Sequence, residues 1–197
     1  MPLWIKQTHL GGYLLVALMT LSEALAAAES SLTQYQEIEW IALIPEDDLA
    51  ALLDPPEYIF NIEDGSEQDS VAALSQQDVT DEKTKRFQQA LTSTRIVQAF
   101  DGKAIRIPGF IVPLESEEQL KVTEFFIVPY FGACLHLPPP PPNQIIYATH
   151  APGVELNSLT QPFWFSGKLK IEHTENGSGA SAYRLLLDEV KVFSEEE

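Results

Sequence analysis

The stretch Arg95-Ile96-Val97-Gln98-Ala99-Phe100-Asp101-Gly102-Lys103-Ala104-Ile105-Arg106-Ile107 decides how the rest of the chain is read. Two short β-forming runs flank Asp-Gly, a strong short hairpin signal because these residues accept the positive φ of a tight turn. The pattern predicts strands at Arg95–Phe100 and Lys103–Ile107, joined at Asp101-Gly102. Working outward, further strand candidates are Phe110–Leu114, Glu124–Val128, Gln144–Thr149, Phe163–Glu172 and Tyr183–Phe193, with a turn at Asn176-Gly177-Ser178-Gly179. Lys168, Lys170 and Glu172 alternate with Leu169 and Ile171, the period of a strand with one face buried. Short strands with Gly and Pro at their corners predict a mainly β protein built on a small OB-like β-barrel. A small β-sandwich is the alternative.

Upstream of this body the chemistry changes. The 197 residues carry 12 Lys+Arg against 29 Asp+Glu, a formal charge of −17. Fifteen of the acidic residues fall between Ala27 and Glu82, where there is no Lys or Arg, whereas Lys83–Glu197 holds 13 acidic and 11 basic residues. The acidic front is expected to carry one or two short helices, making the N-terminal side α+β. Pro45 followed by Glu46, Asp47 and Asp48 suits a first helical turn, since Pro fits N1 and carboxylates favour the positive end. Leu49, Leu52 and Leu53 give that helix an apolar stripe, and Asp54-Pro55-Pro56 ends it. Thr80-Asp81-Glu82 opens a second helix with Phe87, Ala90 and Leu91 facing inward. The acidic stretch Asn61–Ser70 reads as a solvated segment.

These balances exclude several function classes. A strongly acidic chain lacks the cationic surface that phosphate contacts require, so no nucleic-acid partner is expected. Docking on anionic lipid is disfavoured for the same reason. One cysteine rules out an intramolecular disulfide and any Cys₂ or Cys₄ metal knuckle. The N-terminus reads as an export signal: Lys6, then the apolar run Leu10–Leu21, then Ala24-Leu25-Ala26 as a small-x-small cleavage pattern. The apolar run is shorter than the about 20 residues of a comfortable span. The expected organisation is a signal peptide over 1–26, an acidic extension over 27–94 and a barrel over 95–197. The mature protein is then expected outside the cytoplasm, in a bacterial periplasm, with no membrane span.

The most informative segment is Tyr130-Phe131-Gly132-Ala133-Cys134-Leu135-His136-Leu137, followed by Pro138, Pro139, Pro140, Pro141 and Pro142 and then Asn143-Gln144. Consecutive prolines lack N–H donors and have fixed φ, so an exposed polyproline II rod of roughly 15 Å is expected. Beside Tyr130 and Phe131 such a rod offers apolar contact at low ordering entropy, the basis of a partner-binding surface. Cys134 and His136 stand at i and i+2, on one face of an extended segment. They can share a soft metal ion, Cu or Zn, with His150 or His173 as a third ligand. They can equally form a reactive thiol–imidazole pair for redox or acyl-transfer chemistry. The remaining alternative is a purely structural Cys134, packed as a small hydrophobe while the prolines serve an interaction module. No phosphate-binding Gly-rich loop, paired-carboxylate signature or HExxH motif accompanies them.

The run Ile107–Glu115 (IPGFIVPLE), then Glu124–Leu137 (EFFIVPYFGACLHL) with the five prolines and Asn143-Gln144, resembles an exported proteobacterial family of unknown function. Its hallmark is a GAC-x-H-x-PPPPPNQ signature, and Trp40…Leu43-Ile44-Pro45 fits its front. The resemblance implies export and gene neighbourhoods with ABC-type transport systems for metals or envelope substrates. It supplies no established activity, cofactor or catalytic residue. Together these readings point to an exported accessory or binding protein whose partner is an envelope or transport protein.

Overall fold

A computed structural model describes residues 34–63, 66, 73, 81–114, 121–132 and 140–194. The expected signal peptide lies outside these residues. The described elements are strands β1 (Gln36–Glu37), β2 (Ala104–Pro113), β3 (Lys121–Val128), β4 (Ile146–Glu155), β5 (Phe163–Asn176) and β6 (Gly179–Val192), with helices α1 (Glu46–Leu53) and α2 (Glu82–Leu91). Tyr35–Glu197 forms one compact unit. Among the described residues no helix is long and apolar enough to cross a membrane.

Strands β2 to β6 close on themselves in the order β2-β3-β4-β6-β5, with β5 returning to β2. β4 and β6 run parallel, and the other barrel pairings are antiparallel. The protein is therefore mainly β, an OB-like five-stranded barrel with two short helices at its N-terminal side. Closure satisfies strand edges that an open sheet would leave exposed. The interior follows the period of two: Ile105, Ile107 and Ile111 of β2 point inward. Phe125 and Ile127 of β3 do so as well, and they meet Phe165, Leu169, Tyr183 and Leu185 in the same cluster. Buried area of this kind, at about 25 cal/mol per Å², is the main favourable term for the barrel.

The predicted Asp101-Gly102 hairpin does not form. Gln98–Phe100 is a 3₁₀ turn, and the strand after Gly102 pairs with distant partners instead. Gly102 N–H donates to the Leu169 carbonyl at 2.8 Å, and Leu169 N–H donates to the Lys103 carbonyl at 2.8 Å. The turn is thus docked on β5, and the Asp101 carboxylate accepts from Ile171 N–H at 3.2 Å. Tertiary pairing outweighs the local signal because β2 is paired with β5 over Ala104–Gly109 and with β3 over Phe110–Pro113. Lys103–Ile107 and Phe110–Leu114, read as two strands, are parts of this one strand. It changes partner at Gly109, where a Cβ would lie 2.8 Å from Ile127 Cγ2 and 2.9 Å from the Val128 carbonyl.

The helices sit close to where they were expected, with one rotation. Asp81 caps α2, its carboxylate accepting from Thr84 N–H at 2.9 Å and Thr84 Oγ1 at 2.8 Å. Phe87, Ala90 and Leu91 are buried. In α1 the expected stripe is displaced: Leu53 is 75% exposed while Asp48 is fully buried. Asp48 and Leu52, four residues apart, share one face of the two-turn helix. The buried Asp48 carboxylate accepts from Arg86, from Arg95 Nη1 at 3.2 Å and from Ser93 Oγ at 2.6 Å. Its position ties α1 to α2 and to the chain leading into the barrel.

The segment before α1 is held to the barrel by directional contacts. Trp40 Nε1 donates to the Pro108 carbonyl at 2.6 Å, and Leu43 lies fully buried in the barrel's own core cluster. Tyr183 is completely buried on β6; its hydroxyl donates to the Leu43 carbonyl at 3.0 Å and accepts from Val97 N–H at 2.7 Å. Burial of that phenol pushes its pKa up. One side chain thus satisfies two backbone groups from distant parts of the chain.

Candidate functional site

The connection between β3 and β4 carries the residues singled out by sequence. After β3, Pro129 leads to Tyr130 and Phe131, which are 43% and 47% exposed. Gly132, with φ of +78°, supplies the left-handed backbone of the turn at Phe131-Gly132. Phe131 leans on Phe110 of β2, ring centroids 6.4 Å apart. Ala133, Cys134, Leu135, His136, Leu137, Pro138 and Pro139 lie outside the described residues, so the Cys134–His136 reading is not located.

Pro140 and Pro141 are buried, which corrects the expectation of an exposed rod for these two residues. Pro141 keeps extended dihedrals (φ −64°, ψ 160°), and Pro142 then opens a 3₁₀ turn over Pro142–Gln144. The turn is pinned from inside. Asn143 Nδ2 donates to the Arg95 carbonyl at 3.0 Å, and Gln144 Nε2 donates to the Trp40 carbonyl at 2.6 Å. Both side chains are buried and donate to backbone of this same chain, while Asn143 Oδ1 is buried without a hydrogen-bond partner among the described residues. The physical reason is that prolines cannot donate, so neighbouring amides anchor the segment.

This anchoring draws the proline segment against the helices and leaves an apolar hollow of about 270 Å³. On one side stand Pro129, Tyr130, Pro140, Pro141 and Gln144. Facing them are Ile44, Leu52, Pro55 and Ile59 from the acidic front, with Phe87 and Leu91 of α2. Phe87 and Leu91 were legible as an inward helical face. Leu52 becomes a wall residue because the Asp48 cluster sets the roll of α1, and Ile59 joins it from the 3₁₀ turn Glu57–Asn61. Tyr130, Pro140, Pro141 and Gln144 are brought together here, whereas Phe131 stacks toward the outer face of β2.

The candidate metal ligands within the described residues do not gather. His150 is half-buried on β4. His173 is half-exposed on β5, its Nε2 3.9 Å from Glu175, beside a smaller hollow of about 220 Å³ with Thr94, Ile96, Ile171 and Ala182. Among the described residues no three His, Cys, Asp or Glu side chains stand where they could hold one metal ion. A polar row crosses the outside of the barrel instead. Tyr147 donates to Glu124 at 2.9 Å, and the Arg184 guanidinium lies 5.3 Å from the Tyr147 ring and 2.8 Å from Glu172. Burial, then the Glu124 carboxylate, pushes the Tyr147 phenol up. The hydrogen bond to Glu172 holds the Arg184 guanidinium even more firmly protonated. The residues of this row pair with one another across four neighbouring strands and brace them, with Arg184 Nε the one atom of the row buried without a partner among the described residues.

Comparison with known proteins adds family identity. Residues 40–192 match the family described as "Protein of unknown function (DUF3299)", and the chain belongs to that family. It is similar to the crystal structure of a DUF3299 family protein from Pseudomonas aeruginosa PAO1, with 35% identity and a TM-score of 0.58 over 83% of this chain and 99% of the other. No curated protein matches.

Proposed function

We propose that this DUF3299 protein is an exported accessory protein of the bacterial envelope that binds a protein partner through the hollow beside Tyr130, Pro140 and Pro141. The observation that carries the reading is the hollow itself: its lining is mostly apolar, and half-exposed Tyr130 is one of its wall residues. At about 270 Å³ it falls just below the about 300–1,000 Å³ of drug-sized ligand sites. That size suits one or two side chains of a partner, the way a central anchor fills a pocket at a protein interface. Full burial of one Leu or Phe contributes about 1.5–3 kcal/mol. A wall tyrosine adds rigid, amphipathic contact area. Prolines in the wall add apolar surface that loses little freedom on contact.

The same reading places the protein in the periplasm, supported by the signal-like pattern before Ala27. A photo-crosslinking residue at Tyr130 in the full-length protein, expressed in a Gram-negative host, tests both parts. The expected result is a discrete adduct of one partner in the envelope fraction, absent when the crosslinker stands at exposed Glu172, on chain cleaved near Ala27. Uncleaved cytoplasmic chain overturns the export reading. Adducts of equal intensity from both positions overturn the binding reading.

A further inference from the structure

The described lining of the hollow has almost no hydrogen-bond donor to offer. Pro55, Pro129, Pro140 and Pro141 lack a backbone N–H. The N–H groups of Ile44, Ile59 and Gln144 are spent on the carbonyls of Ile41 at 3.2 Å, Pro56 at 3.1 Å and Pro141 at 2.7 Å. The three apolar residues from α1 and α2 lie past the first turn, where each N–H donates to the carbonyl four residues earlier. Tyr130 alone stands outside this account. Gln144 supplies the opposite group. Its Nε2 donates to the Trp40 carbonyl at 2.6 Å and to the Asn143 carbonyl at 3.4 Å, so both amide hydrogens are committed. Because both neighbours are acceptors, the network fixes which end of the carboxamide is the oxygen. Gln144 Oε1 accepts from no group among the described residues. Unlike the enclosed Asn143 Oδ1, it keeps access to open space. Gln144 is only 7% exposed, and the open space it borders is the hollow.

We infer that the side chain a protein partner seats in the hollow is a tryptophan, its indole N–H donating to Gln144 Oε1. The inference rests on the binding reading above and names the anchor. Leucine or phenylalanine fills the space but leaves the acceptor dry and unpaired, which costs a buried polar group its hydrogen bond. Lysine or arginine can donate, yet its charge would leave water for a lining that holds no carboxylate. Serine, histidine and tyrosine bring acceptor lone pairs along with their donor, and outside Tyr130 the lining has no spare donor to meet them. Indole is neutral, broad and a donor only, the complement of an apolar space with one open acceptor. Tryptophan is also among the residues that dominate the buried centres of protein interfaces.

Calorimetric titration of the full chain with three synthetic peptides tests this. The peptides share Gly-Ser flanks and differ at one central residue: tryptophan, tyrosine, or 3-benzothienylalanine, in which sulfur replaces the indole N–H and the shape is kept. The change lies in the peptide, so the fold of the protein is untouched. The tryptophan peptide is expected to bind about five- to tenfold tighter than the benzothienyl peptide, the worth of one hydrogen bond to an otherwise unpaired acceptor. The tyrosine peptide should also bind more weakly than the tryptophan peptide. Leu52→Trp, which fills the hollow from its wall, should abolish binding of all three; Ile59→Trp serves where circular dichroism shows that variant unfolded. A benzothienyl or tyrosine peptide that binds as tightly as the tryptophan peptide, and is lost with the wall variant, overturns the anchor inference and leaves the pocket reading standing. Binding that the folded wall variant does not weaken overturns both, as does no binding by any peptide at millimolar concentration.

Discussion

Tyr183→Phe removes one oxygen atom and nothing else, which makes it a sharp test of how the N-terminal segment is joined to the barrel. The hydroxyl donates to the Leu43 carbonyl at 3.0 Å and accepts from Val97 N–H at 2.7 Å, and the side chain is fully buried. Phenylalanine keeps the ring packing, so the transfer and cavity contributions are nearly unchanged. What changes is that two backbone groups lose a partner at once. An unsatisfied buried polar group costs about 1–3 kcal/mol, so the pair predicts a loss of roughly 2–6 kcal/mol. Val97 is half-buried and can recover part of its loss by meeting water, which favours the lower half of that range. Against a typical total of about 5–15 kcal/mol, even 2 kcal/mol is a large fraction. For a unit of this size it corresponds to a fall in Tm of about 4–8 °C. Urea and thermal unfolding followed by circular dichroism give the number. Amide hydrogen exchange locates it, since the Val97 amide should exchange faster while β5 amides such as Phe165 change only through global stability. A Tm within about 1 °C of the parent, with Val97 protection unchanged, would refute the assignment of the hydroxyl as a two-ended tether.

Other consequences of the same structure are equally direct. Gly167→Ala should prevent folding or cost more than about 3 kcal/mol, because its Cβ would sit 2.2 Å from the Leu186 carbonyl across the β5–β6 ladder; a stable variant by urea titration contradicts that close approach. Asp48→Ala should cost about 2–3 kcal/mol, mainly by stranding buried Ser93 Oγ, since the two arginines are exposed enough to rehydrate. Asp48→Asn, which keeps an acceptor for Ser93, should lose less in the same assay. The Asp101 carboxyl is held below its ordinary pKa by the Ile171 amide and then by Lys170. Its contribution to stability is therefore complete above the unfolded value near pH 4 and is lost as pH falls through the lowered folded value. Asp101→Asn should flatten the acid limb of Tm against pH, and an unchanged limb would show that the carboxylate is not coupled to folding.

Much of the fold was legible because periodicity is a local property. Alternation in β5, the Asn176–Gly179 turn, the Asp81 cap and the inward face of Phe87, Ala90 and Leu91 all depend on residues a few positions apart, and the structure has them where the sequence placed them. The Asp101-Gly102 hairpin failed for a complementary reason. A turn-forming dipeptide specifies a bend, not which strand the bend will pair with, and here β5 is the better partner. The exposed proline rod failed similarly at Pro140 and Pro141, since no local rule says what Asn143 and Gln144 will bond to across about 50 and 100 positions. The hollow itself has walls from three stretches far apart in sequence, so no spacing within any one of them could reveal it.

By itself, then, the sequence determined the class of the protein: a β-rich body with an OB-like barrel, an acidic helical front, and one unusual aromatic–proline segment as the place to look. Only the tertiary structure decided that β2 is a single strand shared between two partners, that Asp48 rather than Leu53 faces inward, and that the proline segment and the two N-terminal-side helices share the walls of one hollow. The physical reason is that side-chain period and turn chemistry are encoded over a few residues. Pairing partner, helix roll and cavity depend on which distant groups satisfy one another's hydrogen bonds and fill one another's space.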